Sequence, residues 1–217
     1  LDIGNLCFNG PDYKLMLTEN AQPALLIHST IALNMLRENG INAQLTAGHS
    51  LGEYSANVAA GSIQFLDAVR LVQLRGRFMQ EAVPFGEGAM VAVLGLKVDQ
   101  VEKICLEVSE GEVVSIANIN STNQIVISGC AEAVKRASQR AKQKGAKRVM
   151  FLDVSGPFHC QLMRPAQKRL AHLMESVVFH DLRFPLVNNV RAEKIFQGDV
   201  NLYFHGINCW FYSRCTC

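Results

Sequence analysis

The 217-residue chain has no apolar run long enough to span a bilayer. Its N-terminus lacks the basic segment and apolar core of a secretory signal. Neither sign of charge dominates: 21 Lys and Arg stand against 19 Asp and Glu, a net charge of +2. That balance argues against nucleic acid or an anionic membrane as the main partner. There is no C-x-x-C pair among the seven cysteines. Cys7, Cys105, Cys130 and Cys160 are scattered, which reads as reduced thiols in the cytoplasm rather than a disulfide framework. Cys209, Cys215 and Cys217 crowd into the C-terminal tail. An initiator methionine is also missing.

What is present centres on Gly48-His49-Ser50-Leu51-Gly52-Glu53-Tyr54. Leu45-Thr46-Ala47 reads as a short buried strand before it, and Leu51 to Ala60 as a helix after it. A serine between two glycines at a strand-to-helix turn is a nucleophile elbow. The turn is expected to be too tight for side chains at 48 and 52, so the Ser50 hydroxyl stands clear of the backbone. The Leu51 N–H, with the start of the helix, then faces a place where negative charge can develop.

Upstream, Leu1 to Leu17 shows no clear period. Cap-type residues from Thr18 and then Pro23 signal a helix start, with a helix from Pro23 to Arg37 that places Leu25, Leu26, Ser29, Leu33 and Leu36 on one face and ends at Gly40. His28 inside it reads as a packed core histidine. Downstream, a second helix runs from Ile63–Asp67 to about Ala82. Arg70, Gln73, Arg77 and Gln80 form its polar stripe. Arg75 falls instead with Leu71 and Phe78 on the apolar face. A guanidinium there needs an anion, either an internal partner such as Glu53 or a ligand carboxylate. Periodicity leaves the two open.

Residues 89–154 read as strand, helix, two strands joined by Asn120-Ser121-Thr122-Asn123, helix, strand. This βαββαβ order is ferredoxin-like, and Pro84–Gly88 and Ser155–Pro157 are its linkers. The expected class is therefore α/β: a larger domain from 1–84 and 156–200, interrupted by a small domain at 85–155. Lys135, Arg136, Arg140, Lys142, Lys144, Lys147 and Arg148 cluster on the last helix and its exit. They are either a solvated face or a dock for an acidic protein. Gly156-Pro157-Phe158-His159-Cys160 follows the insertion, with His159 between a rigid turn and a helix from Gln161 to about Ser176. A general base placed there makes chemical sense; a structural histidine is the alternative. Phe184 to Val190 reads as a further strand, and no folded pattern is legible after Val200.

Three motifs together, Gly48 to Ser55, Arg75 to Pro84 and Gly156 to Cys160, resemble the malonyl-CoA:acyl carrier protein transacylases of bacterial-type fatty acid synthesis. The acyltransferase domains of polyketide synthases are related. The resemblance implies an α/β-hydrolase-like large domain carrying a ferredoxin-like insertion, and a ping-pong reaction. Ser50 attacks the malonyl thioester, His159 takes its proton and later activates the incoming thiol, and Arg75 holds the free carboxylate. The Leu51 N–H serves the oxyanion, with His49 and Phe158 beside the substrate; a phenylalanine before the histidine is similar to malonyl-selective members. It implies malonyl-CoA and acyl carrier protein as partners, coenzyme A only as part of the substrate, no metal, and a cytoplasmic monomer (plastid or mitochondrial in a eukaryote).

The chain also departs from that family. The family's first strand and Gly-Gln-Gly loop, which give a second oxyanion donor, are absent. So is the later segment whose carbonyl orients the histidine. The expectation is a fragment whose stretch from 201 to 217 is out of frame, and a weak catalyst. Competing readings are a serine thioesterase or hydrolase using water, and a non-catalytic fragment. A hydrolase has no need of an arginine on the buried face at 75.

Overall fold

The computed structural model describes residues 2–190 and 192–196, and the backbone pairing of 213–214. Its fold is mixed α/β. It divides into two compact units, Leu1–Phe78 with Lys168–Gly206, and Met79–Gln167 with Ile207–Cys217.

The first unit opens with two short helices, α1 (Ile3–Asn9) and α2 (Asp12–Leu15), where the sequence shows no period. The local signal is a cap: the Asp2 side chain accepts the Asn5 N–H at 3.0 Å. Next comes α3 (Thr18–Glu38), which begins five residues before Pro23. The proline is carried inside the helix and is buried. The expected apolar face of α3 is only partly used. Leu26 is fully buried, but Leu25 and Leu36 are exposed, and so is His28, which is therefore not a packed core histidine. No described element covers that side of the helix.

The strand β1 (Thr46–Ala47) is shorter and more exposed than its sequence suggests. It pairs in parallel with β6 (Leu186–Val187), which pairs antiparallel with β7 (Lys194–Ile195), giving the order β1-β6-β7. Among the described residues β1 is an edge strand, and no described element covers Leu45 and Ala47, which face solvent. Expected strand 184–190 is thus only two residues of ladder. Helix α4 (Gly52–Ala60) follows the elbow, and Ala56 packs on Leu186 and Ile195.

Helix α5 (Phe65–Glu81) buries Leu71, Arg75 and Phe78 and exposes Arg70 and Arg77, as its stripe predicts. The start of α3 crosses it at Gly76. A Cβ there would meet the Thr18 carbonyl oxygen at 2.4 Å and the Glu19 Cα at 2.6 Å, so only glycine permits the approach.

The second unit is a sheet with two helices. Strands β2 (Gly88–Leu94), β3 (Val114–Ser121), β4 (Gln124–Cys130) and β5 (Arg148–Phe151) alternate with α6 (Val98–Val108) and α7 (Ala131–Gln143) in the expected βαββαβ order. The spatial order is β5-β2-β4-β3, with these four strands antiparallel throughout. Strand β8 (Ser213–Arg214) adds in parallel to the β3 edge, so two residues of the tail do pair. The rest of the tail from 201 lies outside the described residues. Alternation along the strands puts Val91, Val93, Ile116, Ile125 and Ile127 on one face under Val101, Ile104, Val134 and Ala137 of the helices. The opposite face gathers Met90, Ala92, Ala117 and Val126, with Phe158 packed against them. After the turn at 156–160 comes a single 3₁₀ turn, Gln161–Met163, and then α7's successor α8 (Arg164–Met174), where the sequence reads one continuous helix.

Candidate active site

Ser50 sits between β1 and α4 with φ +52°, a left-handed conformation uncommon for a residue with a side chain. The turn closes by Gly52 N–H donating to the His49 carbonyl at 2.8 Å. A Cβ on Gly48 would lie 2.0 Å from the Gly52 carbonyl carbon and oxygen, so that glycine is sterically required. Gly52 is not: a Cβ there meets no described atom within 4 Å, contrary to the expectation that both glycines are demanded by crowding.

The strained serine is held from behind by Asn189. Its Oδ1 accepts the Ser50 backbone N–H at 2.6 Å, and its own backbone N–H donates to Glu53 Oε1 at 3.2 Å. Both Asn189 and Glu53 are buried. Asn189 thus gives the Ser50 backbone N–H a hydrogen-bonded acceptor from a buried side chain. The Leu51 N–H has no acceptor among the described residues, so it remains available to an oxyanion. His49 is half-buried, and desolvation holds its pKa below the ordinary histidine value.

Arg75 is 1% exposed, the largest fully buried side chain among the described residues. Its Nη2 donates to Ser50 Oγ at 3.1 Å and its Nη1 to Gln22 Oε1 at 2.5 Å. Gln22 in turn donates through Nε2 to Thr18 Oγ1 at 2.9 Å, one helical turn back on α3. The Tyr54 ring lies 5.6 Å from the guanidinium carbon. The close crossing at Gly76 is what brings Gln22 to Arg75. A guanidinium thus rests on the serine hydroxyl, an arrangement able to receive a carboxylate carried by an acyl group on that oxygen.

His159 belongs to the second unit. It is buried and also has a left-handed backbone, φ +60°. The turn that carries it is locked from both ends. A Cβ on Gly88 would meet the Pro157 ring at 2.2 Å, and one on Gly156 would meet the Phe158 ring at 3.2 Å. The Phe158 N–H donates to the Gly156 carbonyl, and Cys160 Sγ donates to the Pro157 carbonyl, both at 3.1 Å. Phe158 is half-buried in the sheet face described above. Ser50 and His159 are two of only four described non-glycine residues with positive φ.

The basic cluster is less free than its composition suggests. Arg136 pairs with Glu112 at 2.6 Å and Glu110 at 3.6 Å, Arg140 with Glu107 at 2.9 Å, and Lys135 with Glu132 at 3.4 Å. Lys142, Lys144, Lys147 and Arg148 are exposed and have no ion pair among the described residues. Gln22 and Asn189 were not legible as site residues. The available signal was polarity out of place: Asn188-Asn189 interrupts an apolar run, and Gln22 precedes a proline one turn after Thr18.

Residues 1–200 match the model of the acyl transferase domain family. A malonyl CoA-acyl carrier protein transacylase of Bacillus subtilis is 49% identical over 88% of the chain and 61% of its own length. One from Escherichia coli K12 is 48% identical over 91% and 64%. Among solved structures, the transacylase of Coxiella burnetii superposes with a TM-score of 0.95 at 41% identity, covering 98% of this chain and 68% of that one. A malonyl-transacylase solved in complex with a type II polyketide acyl carrier protein gives 0.94 at 44%, over 98% and 69%. The chain spans less than two thirds of the length of these curated relatives. It belongs to the acyl transferase domain family, among the malonyl CoA-acyl carrier protein transacylases.

Proposed function

We propose that this chain carries the acyl-transfer core of a malonyl-CoA:acyl carrier protein S-malonyltransferase of fatty acid biosynthesis. The observation that supports it is the guanidinium of Arg75 on the hydroxyl of Ser50, at the tip of the elbow. Ser50 Oγ attacks the thioester carbonyl as His159 accepts its proton. The oxyanion forms at the Leu51 N–H, and coenzyme A leaves as the thiol, taking the proton from His159. Malonyl is then an ester on Ser50, with its free carboxylate on Arg75. In the second half-reaction His159 takes the proton of the carrier's phosphopantetheine thiol, the thiolate attacks the ester, and Ser50 recovers its proton.

The larger architecture fits an α/β-hydrolase-like domain, 1–84 and 156–200, interrupted by a ferredoxin-like one at 85–155; the antiparallel order β5-β2-β4-β3 supports the second label. His49 and Phe158 flank the acyl group. The carrier protein is acidic in this reading and docks on the unpaired cations of α7's exit, Lys144 and Arg148 among them. Free thiols at Cys7, Cys105, Cys130 and Cys160 support a cytoplasmic setting.

The test is intact-protein mass spectrometry after exposure to malonyl-CoA, followed by acyl carrier protein. One malonyl group on Ser50, absent in Ser50→Ala and discharged by the carrier, is the expected result. Discharge to water at the same rate without carrier would make the protein a thioesterase. Labelling that survives Ser50→Ala would remove the serine from the chemistry.

A further inference from the structure

The C-terminal end of α4 carries a feature that the acyl-transfer reading does not use. The last carbonyls of that helix are all satisfied. Asn57 accepts from the Ser62 N–H at 2.9 Å, Val58 from the Gly61 N–H at 3.1 Å, and Ala60 from the Arg183 N–H at 2.8 Å. Ala59 is taken twice over, by Arg37 Nη2 at 2.8 Å and by Arg183 Nη2 at 3.3 Å. One arginine completes the cap and complements the helix dipole. The second is surplus to capping, and it brings two like charges onto a single oxygen. Neither arginine can shed its proton. Among the described residues neither meets a carboxylate.

The pair stands at one side of a cavity of about 740 Å³ between α3, α4 and the start of α5. Ile27, Ile31, Ile63 and Phe65 give it an apolar wall, and Asn34 and Gln64 add polar points; no acidic residue lines it. The position of Arg183 is built, not incidental. Its backbone is pinned to Ala60, and its Nε would lie 2.6 Å from any Cβ at position 61, where a left-handed glycine with φ +80° makes room. The volume falls within the ordinary range for small-molecule sites, roughly 300–1,000 Å³. Ser50 is at the other end of the same helix, so this cavity is separate from the serine.

We propose that this cavity binds an amphiphile, an oxyanion head seated between Arg37 and Arg183 with its apolar chain along Ile27, Ile31, Ile63 and Phe65. A fatty carboxylate and an alkyl phosphate share this chemistry. The inference does not depend on the acyl-transfer reading.

The experiment is titration calorimetry with thermal melts, using decanoate, decyl phosphate, inorganic phosphate and decyltrimethylammonium as probes. It is run on the 217-residue chain and on a protein extended to the length of its relatives. Decanoate or decyl phosphate should bind and raise the melting temperature in both proteins, more weakly at high salt; whichever is tighter identifies the source of the head. Arg37→Gln and Arg183→Gln should each weaken binding about tenfold or more, the loss expected for one charge-assisted contact. Each should leave the unliganded melting temperature unchanged or raised, because a like charge is relieved. Four results overturn the proposal: equal binding of the cationic amphiphile, binding of inorganic phosphate as tight as that of the amphiphiles, a response in the short chain but none in the long one, or a fall in unliganded stability in both variants without loss of binding.

Discussion

The Arg75 guanidinium donates to the Ser50 hydroxyl at 3.1 Å, from a helix whose polar stripe lies on the other side. The charge is placed at the nucleophile by burial, not drawn there by solvent. On the proposed function, the arginine should select among acyl groups. Malonyl brings a carboxylate to it, and acetyl brings a methyl. Breaking a buried charge pair by removing one partner costs about 3–5 kcal/mol. Arg75→Ala should therefore cut malonyl transfer by roughly two to three orders of magnitude and leave acetyl transfer unchanged or raised. The measurement is kcat/KM for both thioesters, with folding checked by thermal melt. A constant malonyl-to-acetyl ratio would make Arg75 a structural residue.

Asn189 should matter through its Oδ1. Replacing it by leucine leaves the half-buried Ser50 N–H without its acceptor, at a cost of up to about 1–3 kcal/mol. Asn189→Leu should lower both thermal stability and the rate of Ser50 acylation. Asn189→Asp retains an acceptor oxygen and should recover part of the acylation rate. If leucine and aspartate behave alike, the hydrogen bond is not what holds the elbow.

The two glycines of the elbow should part company. A Cβ at 48 collides with the Gly52 backbone at 2.0 Å, and backbone cannot step aside as a flexible side chain can. Gly48→Ala should fail to fold, or melt far below the parent. At position 52, the first residue of α4, the same methyl meets nothing described, and alanine is about 1 kcal/mol better than glycine inside a helix. Gly52→Ala should therefore be neutral or slightly stabilising. Equal damage at both positions would contradict the turn geometry.

Much of the second unit was legible because its elements alternate cleanly. The period-2 strands around Val91 and Ile125 and the helical period of Val134, Ala137 and Ala141 each bury one face against the other. Arg75 was legible as misplaced, but not its partners. Gln22 reaches it only because two helices cross at Gly76, a contact between residues far apart in sequence. Local pattern cannot encode that. The first unit misled for a related reason. Leu25 and Leu36 carry a core-like period, and Leu45 a strand-like one, yet no described element covers them. Periodicity announces a face that can be buried, and what buries it is a separate matter.

His49 should make stability depend on pH. Burial disfavours its charged form, so its pKa in the folded chain lies below the ordinary 6.5. Between those two values the unfolded chain binds the proton and the folded chain does not. The stability present above pH 6.5 is therefore lost as pH falls toward the folded value. Denaturant melts at pH 7.5 and pH 5.5 on wild type and His49→Gln read the effect, at about those two settings. The wild type should lose more stability on acidification than the variant; identical losses would mean that other groups govern the acid limb.

The exit of α7 should affect only the encounter with the carrier protein. Arg136 and Arg140 are closely paired with Glu110, Glu112 and Glu107, whereas Lys144 and Arg148 are exposed and make no close ion pair among the described residues, Lys144 acting on Glu107 only at longer range. An acidic carrier is attracted by the net field, and a cation with a carboxylate beside it adds little to that field. Lys144→Ala with Arg148→Ala should lower kcat/KM for acyl carrier protein by roughly threefold to tenfold at low salt. The defect should fade as ionic strength rises and the screening length falls below about 8 Å. Acylation of Ser50 by malonyl-CoA, followed by mass spectrometry, should be unchanged. Arg140→Ala is the internal control: it frees Glu107, so its effect on the carrier reaction mixes lost positive charge with an exposed negative one, and it should also lower the melting temperature. An equal loss in both half-reactions from the Lys144 and Arg148 pair would point to damage in the fold, and a salt-independent loss would rule out electrostatic docking at this surface.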